Sequence, residues 1–269
     1  MIRLSQLVIL SFGFFLPSTF AQLPGLVNHD RLGYFVSYER KDFQFGISST
    51  GDILIEIIGS TGKPMGFTRA VKIEPVIMDM SDPKPYPKKL VVESLTSAQP
   101  ATDKPEKITF RGKVTGDAEF EMTLEFKGDE IMMGGKLVNS GTLKTPVFQI
   151  HTRFQQPYQS IADEKLEKAT EKDRISFVRI DKKKDKIGVY EVADFTDENK
   201  FDKGQTAIAV EISAYDGKEL EFSIEGPGVM KLTNAYTAAY APMKGFRVVW
   251  QHDVAADPEA KGRIHCVIK

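Results

Sequence analysis

Residues 107–138 read Lys107-Ile-Thr-Phe-Arg-Gly-Lys-Val114, Thr-Gly-Asp-Ala, Glu119-Phe-Glu-Met-Thr-Leu-Glu-Phe126, Lys-Gly-Asp-Glu, Ile131-Met-Met-Gly-Gly-Lys-Leu-Val138. Apolar residues fall at every second place in the first two runs, and turn residues close each run. A period of two is the mark of a strand with one buried face, since successive side chains in a strand point to opposite sides. The same alternation returns at Asp52–Ile58, Lys89–Leu95, Ile175–Ile180, Ile187–Val192, Thr206–Ile212, Leu220–Ile224, Phe246–Trp250 and Ile264–Ile268. Turn chemistry recurs between them, as at Thr50-Gly51-Asp52, Lys127-Gly128-Asp129 and Tyr215-Asp216-Gly217. The charged run Asp181–Lys186 reads as a solvated hairpin tip. About 14 to 16 strands without alternating helices predict an all-β fold, a large antiparallel β-sandwich.

One segment breaks the pattern. Ser160–Lys172 is rich in Ala, Glu and Lys, with Ser160 and Asp163 placed to cap a helix. Its apolar stripe is narrow, so one short surface helix is expected. The stretch Ser97–Glu106 reads as a linker or as a long loop within one sandwich. The linker reading leaves a small first unit, which favours a single β-sandwich domain over residues 22–269.

The first 21 residues read as an export signal. Arg3 is their only charge, an apolar run follows from Leu7 to Leu16, and Thr19-Phe20-Ala21 puts small residues at the −3 and −1 positions of a cut after Ala21. The apolar core is too short to span a bilayer, so no stable membrane span is expected. The expected location is secreted or periplasmic. Of the 36 basic residues only Arg3 falls in this leader, so 35 remain against 37 acids. That balance gives no electrostatic reason to bind nucleic acid.

Cys266 is the only cysteine, so no internal disulfide can form and stability must come from packing. It reads as a small buried residue of the last strand or as a reactive thiol. The four histidines lack metal-ligand spacing, and no metal or cofactor is expected. No G-x-S-x-G elbow and no Gly-rich phosphate cradle occur. Asn28-His29-Asp30 reads as a loop turn or a weak cation site.

The richest stretch for chemistry is Pro146–Tyr158. In an extended strand Phe148, Ile150, Thr152 and Phe154 share one face, and Gln149, His151, Arg153 and Gln155 share the other. Amide, guanidinium and imidazole groups side by side suit hydroxyl-rich ligands, because together they donate and accept in fixed directions. The same pattern also fits an ordinary solvated face. Trp250 is the sole tryptophan; it reads as a core residue or as a ring on which a sugar could stack.

The segment Gly112–Tyr158 resembles the middle of galactose-mutarotase-like β-supersandwich proteins. The matching pieces are Lys136-Leu137-Val138-Asn139, Ser140-Gly141, Pro146 and His151, a strand ending in Asn, a turn and a strand that carries a His. The resemblance implies that His151 faces a sugar and acts as the acid in ring opening. It also implies a Glu base near the C-terminus. Val248-Val249-Trp250-Gln251-His252-Asp253 has no Glu, so Asp253 or His252 would take that role. The candidate site is therefore His151 and Asp253 as catalytic residues, with Gln149, Arg153, Gln155 and Trp250 binding substrate. The partner expected is a glycan or sugar ligand; the alternative is a non-catalytic module that binds an envelope or extracellular protein.

Overall fold

The computed structural model of the chain describes residues 22–27, 30–66, 69–154, 156–159, 161–188, 205–215, 217–234 and 245–269. The leader at 1–21, Asn28 and His29 lie outside them. The N-terminal strands are β1 (Tyr34–Glu39), β2 (Phe43–Ser48), β3 (Ile53–Ile57), β4 (Val71–Asp79) and β5 (Leu90–Thr96). The 107–138 stretch forms β6 (Lys107–Val114), β7 (Glu119–Lys127) and β8 (Glu130–Asn139), followed by β9 (Pro146–Phe154). Two short helices come next, α1 (Gln156–Gln159) and α2 (Asp163–Ala169). The remainder is β10 (Arg174–Arg179), β11 (Lys184–Gly188), β12 (Gln205–Tyr215), β13 (Lys218–Glu225), β14 (Val229–Asn234), β15 (Phe246–Gln251) and β16 (Arg263–Ile268).

The fold is all-β, and every pairing between named strands is antiparallel. The strands form one sheet in the order β1-β2-β3-β4-β9-β15-β14-β12-β13-β16-β8-β7-β6-β5, with β10 on β12 and β11 on β10. The sheet curls until its ends meet. Ser37 N donates to Thr102 O (3.1 Å) and Thr102 N to Phe35 O (3.0 Å), tying β1 to the chain beyond β5. Tyr38 Oη donates to Gly128 O (2.9 Å), and Lys218 pairs with Asp42 across the same closure.

Alternation in the 107–138 stretch does what it predicts. Phe120, Met122, Leu124 and Ile131 turn inward and are buried. Opposite charges face each other outside, as in Lys107–Glu125 (2.8 Å), Arg111–Glu121 (2.6 Å) and Lys113–Glu119 (2.8 Å). Inside, rings from the two halves of the curl meet. Phe120 stacks on Phe148 at 6.0 Å, Phe45 meets Phe126 edge-on at 5.1 Å, and Phe154 meets Phe222 at 6.0 Å. Each fully buried Phe of this kind contributes on the order of 1.5–3 kcal/mol. Gly135 is required where β8 crosses behind Phe148: a Cβ there would lie 2.4 Å from Glu121 O and 2.7 Å from the Phe148 ring.

The segments at 34–39, 43–48, 71–79 and 229–234 are strands that alternation did not single out. In β4 the reason is Pro75, which breaks the pattern of a strand lying between two others. It is tolerated because β3 pairs only with Val71–Ile73. Ile77 O accepts from Lys88 N on the side away from β9, while Met80 N bonds Thr145 O on the β9 side. Counting back by twos, Pro75 turns its missing donor to the open edge beyond Ile73, where no ladder bond is lost. That open edge becomes the wall of the groove described below.

The helix expected at Ser160–Lys172 is present as α2 over Asp163–Ala169, and Ser160 lies outside the described residues. The extended strand expected through Gln155 is seen to Phe154, and α1 begins at Gln156. The charged hairpin tip is narrower than expected: the turn lies at 180–183, and Lys184–Lys186 already belong to β11. Residues 189–204 lie outside the described residues, so the strand expected at Ile187–Val192 is seen only to Gly188. Asp79 anchors the entrance to β9. Its carboxylate accepts from Ser81 N (3.1 Å), Ser81 Oγ (2.8 Å), Lys144 N (3.0 Å) and Thr145 N (2.9 Å).

Candidate functional site

Strand β9 lies between β4 and β15, and its register sets which side chains meet. Phe148, Ile150, Thr152 and Phe154 point into the core and are fully buried. Gln149, His151 and Arg153 point to the other face. Across the three strands the rows on that face are Lys72–Arg153–Arg247, Glu74–His151–Val249 and Val76–Gln149–Gln251. This is not a plain solvated face, because His151 is only 2 % exposed and Gln149 only 9 %.

A hydrogen-bonded chain runs along it. Gln149 Nε2 donates to Gln251 Oε1 (2.8 Å), which turns Gln149 Oε1 toward His151. That oxygen lies 2.7 Å from His151 Nε2, so Nε2 carries the proton and donates it. Nδ1 is then the lone-pair nitrogen, and it is buried with no hydrogen-bond partner among the described residues. Burial, with the nearby Arg247 and Arg153 guanidiniums, holds the imidazole well below its ordinary value of 6.5. His151 is neutral at neutral pH and can accept at Nδ1. The acid role implied by the resemblance needs an imidazolium, which this environment disfavours.

Beside this chain stands an ionic cluster that the sequence did not reveal. Arg153 Nε lies 2.6 Å from Glu74 Oε2, and Lys72 Nζ lies 3.1 Å from Glu74 Oε1. Lys72 also reaches Asp52 at 3.4 Å. These groups open into a groove of about 370 Å³ along the free edge of β4. Lys72, Glu74 and Arg153 line one side, while Lys88, Lys89 and Leu90 line the other. Its volume falls within the range of roughly 300–1,000 Å³ common for small-ligand pockets. Tyr86, exposed and one residue before the lining Pro87, has the Lys88 ammonium 4.4 Å from its ring centre.

A wider depression of about 620 Å³ lies between α2 and the β12–β13 hairpin, lined by Lys168, Asp173, Ser213 and Glu219 among others. Burial raises the carboxyl of Asp173, which accepts from Tyr158 Oη (3.3 Å). Among the described residues, none of those expected to bind or react lies there.

Two expected members do not join His151. Trp250 is fully buried with Phe246 and Val248 on the core face of β15, paired with Ile150, so it is on the other side of the sheet. Alternation itself requires this, because Trp250 is one residue from Val249, the neighbour of His151. Asp253 lies beyond the end of β15, two residues past the Gln251–Gln149 pair. That places it roughly 13 Å along β9 from His151 at about 3.3 Å per residue. Its Oδ1 accepts from Ala255 N and Ala256 N, both at 3.1 Å, and so caps a turn. The neighbouring His252 donates from Nε2 to Asp257 O (2.8 Å) and is equally committed. Gln155 lies outside the described residues.

Among the described residues no cluster of three or more His, Cys, Asp or Glu side chains could hold a metal ion. No helix among them is long and apolar enough to cross a membrane.

No protein-family model matches the chain, and no curated protein does. Among solved structures it is similar to a GalM/aldose epimerase homologue from C. elegans, at 10% identity and a TM-score of 0.49, covering 88% of this chain and 98% of that one. It is also similar to the Slr1438 protein from Synechocystis sp. PCC 6803, at 10% identity and a TM-score of 0.42, covering 91% and 99%.

Proposed function

We propose that this is an exported carbohydrate-binding protein whose ligand lies in the groove along β4 and β9. The observation that carries the reading is the groove itself. It brings Lys72, Glu74 and Arg153 to one wall, directly beside the Gln251–Gln149–His151 chain. Carboxylate, guanidinium and ammonium groups set beside apolar side chains such as Val76 and Leu90 can bond sugar hydroxyls while covering C–H surface. Tyr86, rather than the buried Trp250, is the exposed ring beside the groove.

Binding is favoured over epimerisation. Ring opening needs an acid and a base acting on one sugar. His151 is neutral, and Asp253 stands apart from it at a turn. Glu74, its neighbour in the sheet, is already shared between two cations.

The test is a glycan array screened with the wild-type protein, Arg153→Gln and Glu74→Gln. Binding by the wild type and loss in both variants supports the reading. Equal binding by all three, or none by any, overturns it.

A further inference from the structure

We propose that the saccharide bound in the β4–β9 groove carries an anionic substituent, a carboxylate or a sulfate ester. The inference rests on the saccharide reading and narrows it. Four cationic side chains line the groove: Lys72, Lys88, Lys89 and Arg153. Three carboxylates pair with them. Glu74 serves both Arg153 and Lys72, Asp52 reaches Lys72 at 3.4 Å, and Asp82 holds Lys88 at 2.7 Å. The exposed ammonium of Lys89 has no ion-pair partner among the described residues.

The sign of the local field is felt at His151. Burial comes first, but the charges that keep its imidazole neutral are Arg247 and Arg153, even though Glu74 is its direct neighbour on β4. A cleft with an excess of one sign of charge concentrates that field on whatever enters. A neutral sugar makes no use of the excess. A carboxylate or sulfate does, through guanidinium and ammonium groups that donate in charge-assisted bonds.

The experiment is calorimetric titration of the protein with trigalacturonate, its fully methylated ester, galactotriose and a sulfated galactotriose, at low and at high salt. The ester keeps the shape of the acid and removes its charge. Trigalacturonate or the sulfated sugar is expected to bind about tenfold or more tighter than the neutral ligands at low salt, with the advantage shrinking as salt rises. Whichever anion binds better identifies the substituent. Lys89→Gln, an exposed change that removes no ion pair among the described residues, is expected to reduce the advantage of the charged ligands over the ester severalfold. Equal affinity for charged and neutral sugars overturns the inference and leaves the saccharide reading standing. Binding of none of the four overturns both.

Discussion

His151 Nε2 donates to Gln149 Oε1 over 2.7 Å, and that bond determines which nitrogen of the imidazole is left as a buried acceptor. Gln149 presents its oxygen to the ring because its amide nitrogen is turned toward Gln251. The consequence is a neutral ring with a buried acceptor at Nδ1.

The first prediction concerns its titration. His151 is expected to stay neutral well below pH 6.5, which side-chain nitrogen chemical shifts would report together with the Nε2–H tautomer. Its folded value is lowered, so below about pH 6.5 the unfolded chain binds a proton that the folded chain does not. Stability therefore falls as pH drops through that window, by up to about 1.4 kcal/mol per pH unit from this group. Denaturant titrations at stepped pH should show this slope, and His151→Gln should reduce it. An imidazole that titrates normally would contradict the account.

Much of the face was legible in sequence. Period two separated Phe148, Ile150, Thr152 and Phe154 from Gln149, His151 and Arg153, and the structure keeps that separation. Glu74 was not legible, because it meets His151 only through the register of β4 on β9, and Pro75 hid the strand that carries it. Gln251 was hidden for the same reason: its partner Gln149 is distant in the chain and adjacent only in the sheet. Asp253 was proposed from a family pattern, while its local sequence, an Asp before Val-Ala-Ala, already suited a turn cap. The groove could not be read at all, since it depends on where β3 stops pairing with β4.

The second prediction concerns Trp250. As the sole tryptophan, fully buried, it should emit at short wavelength and resist quenching by iodide. Saturating saccharide should leave iodide quenching unchanged. Trp250→Ala should cost roughly 3–5 kcal/mol by chemical denaturation. Strong quenching in the native protein would place the ring at a surface instead.

Cys266 supplies the third. Its side chain is fully buried, and burial pushes the thiol far above its ordinary range. The thiolate is the reactive form, so the native protein should not react with a thiol reagent until denaturant is added. Rapid native labelling, at the rate seen when unfolded, would show a reactive surface thiol.

Asp79 supplies the fourth. Burial acts to raise its carboxyl, but bonds from Lys144 N, Ser81 and Thr145 N outweigh this and hold it well below the usual carboxylate range. Its contribution is fully present above the unfolded value of 3.8 and is lost as pH falls through the lower folded value. Asp79→Asn should lower the melting temperature at neutral pH, and the gap to wild type should narrow on acidification below pH 3.8. A gap independent of pH would rule out the carboxylate charge as its source.

The central claim is that a saccharide occupies the groove along β4 and β9. A backbone amide NMR titration with the best ligand from the array tests it most directly. The expected result is a set of shifts centred on Lys72, Glu74, Lys89 and Arg153, saturating together and absent in Arg153→Gln. Shifts centred instead on the depression beside α2, near Asp173 and Ser213, or no shifts at saturating ligand, would contradict it.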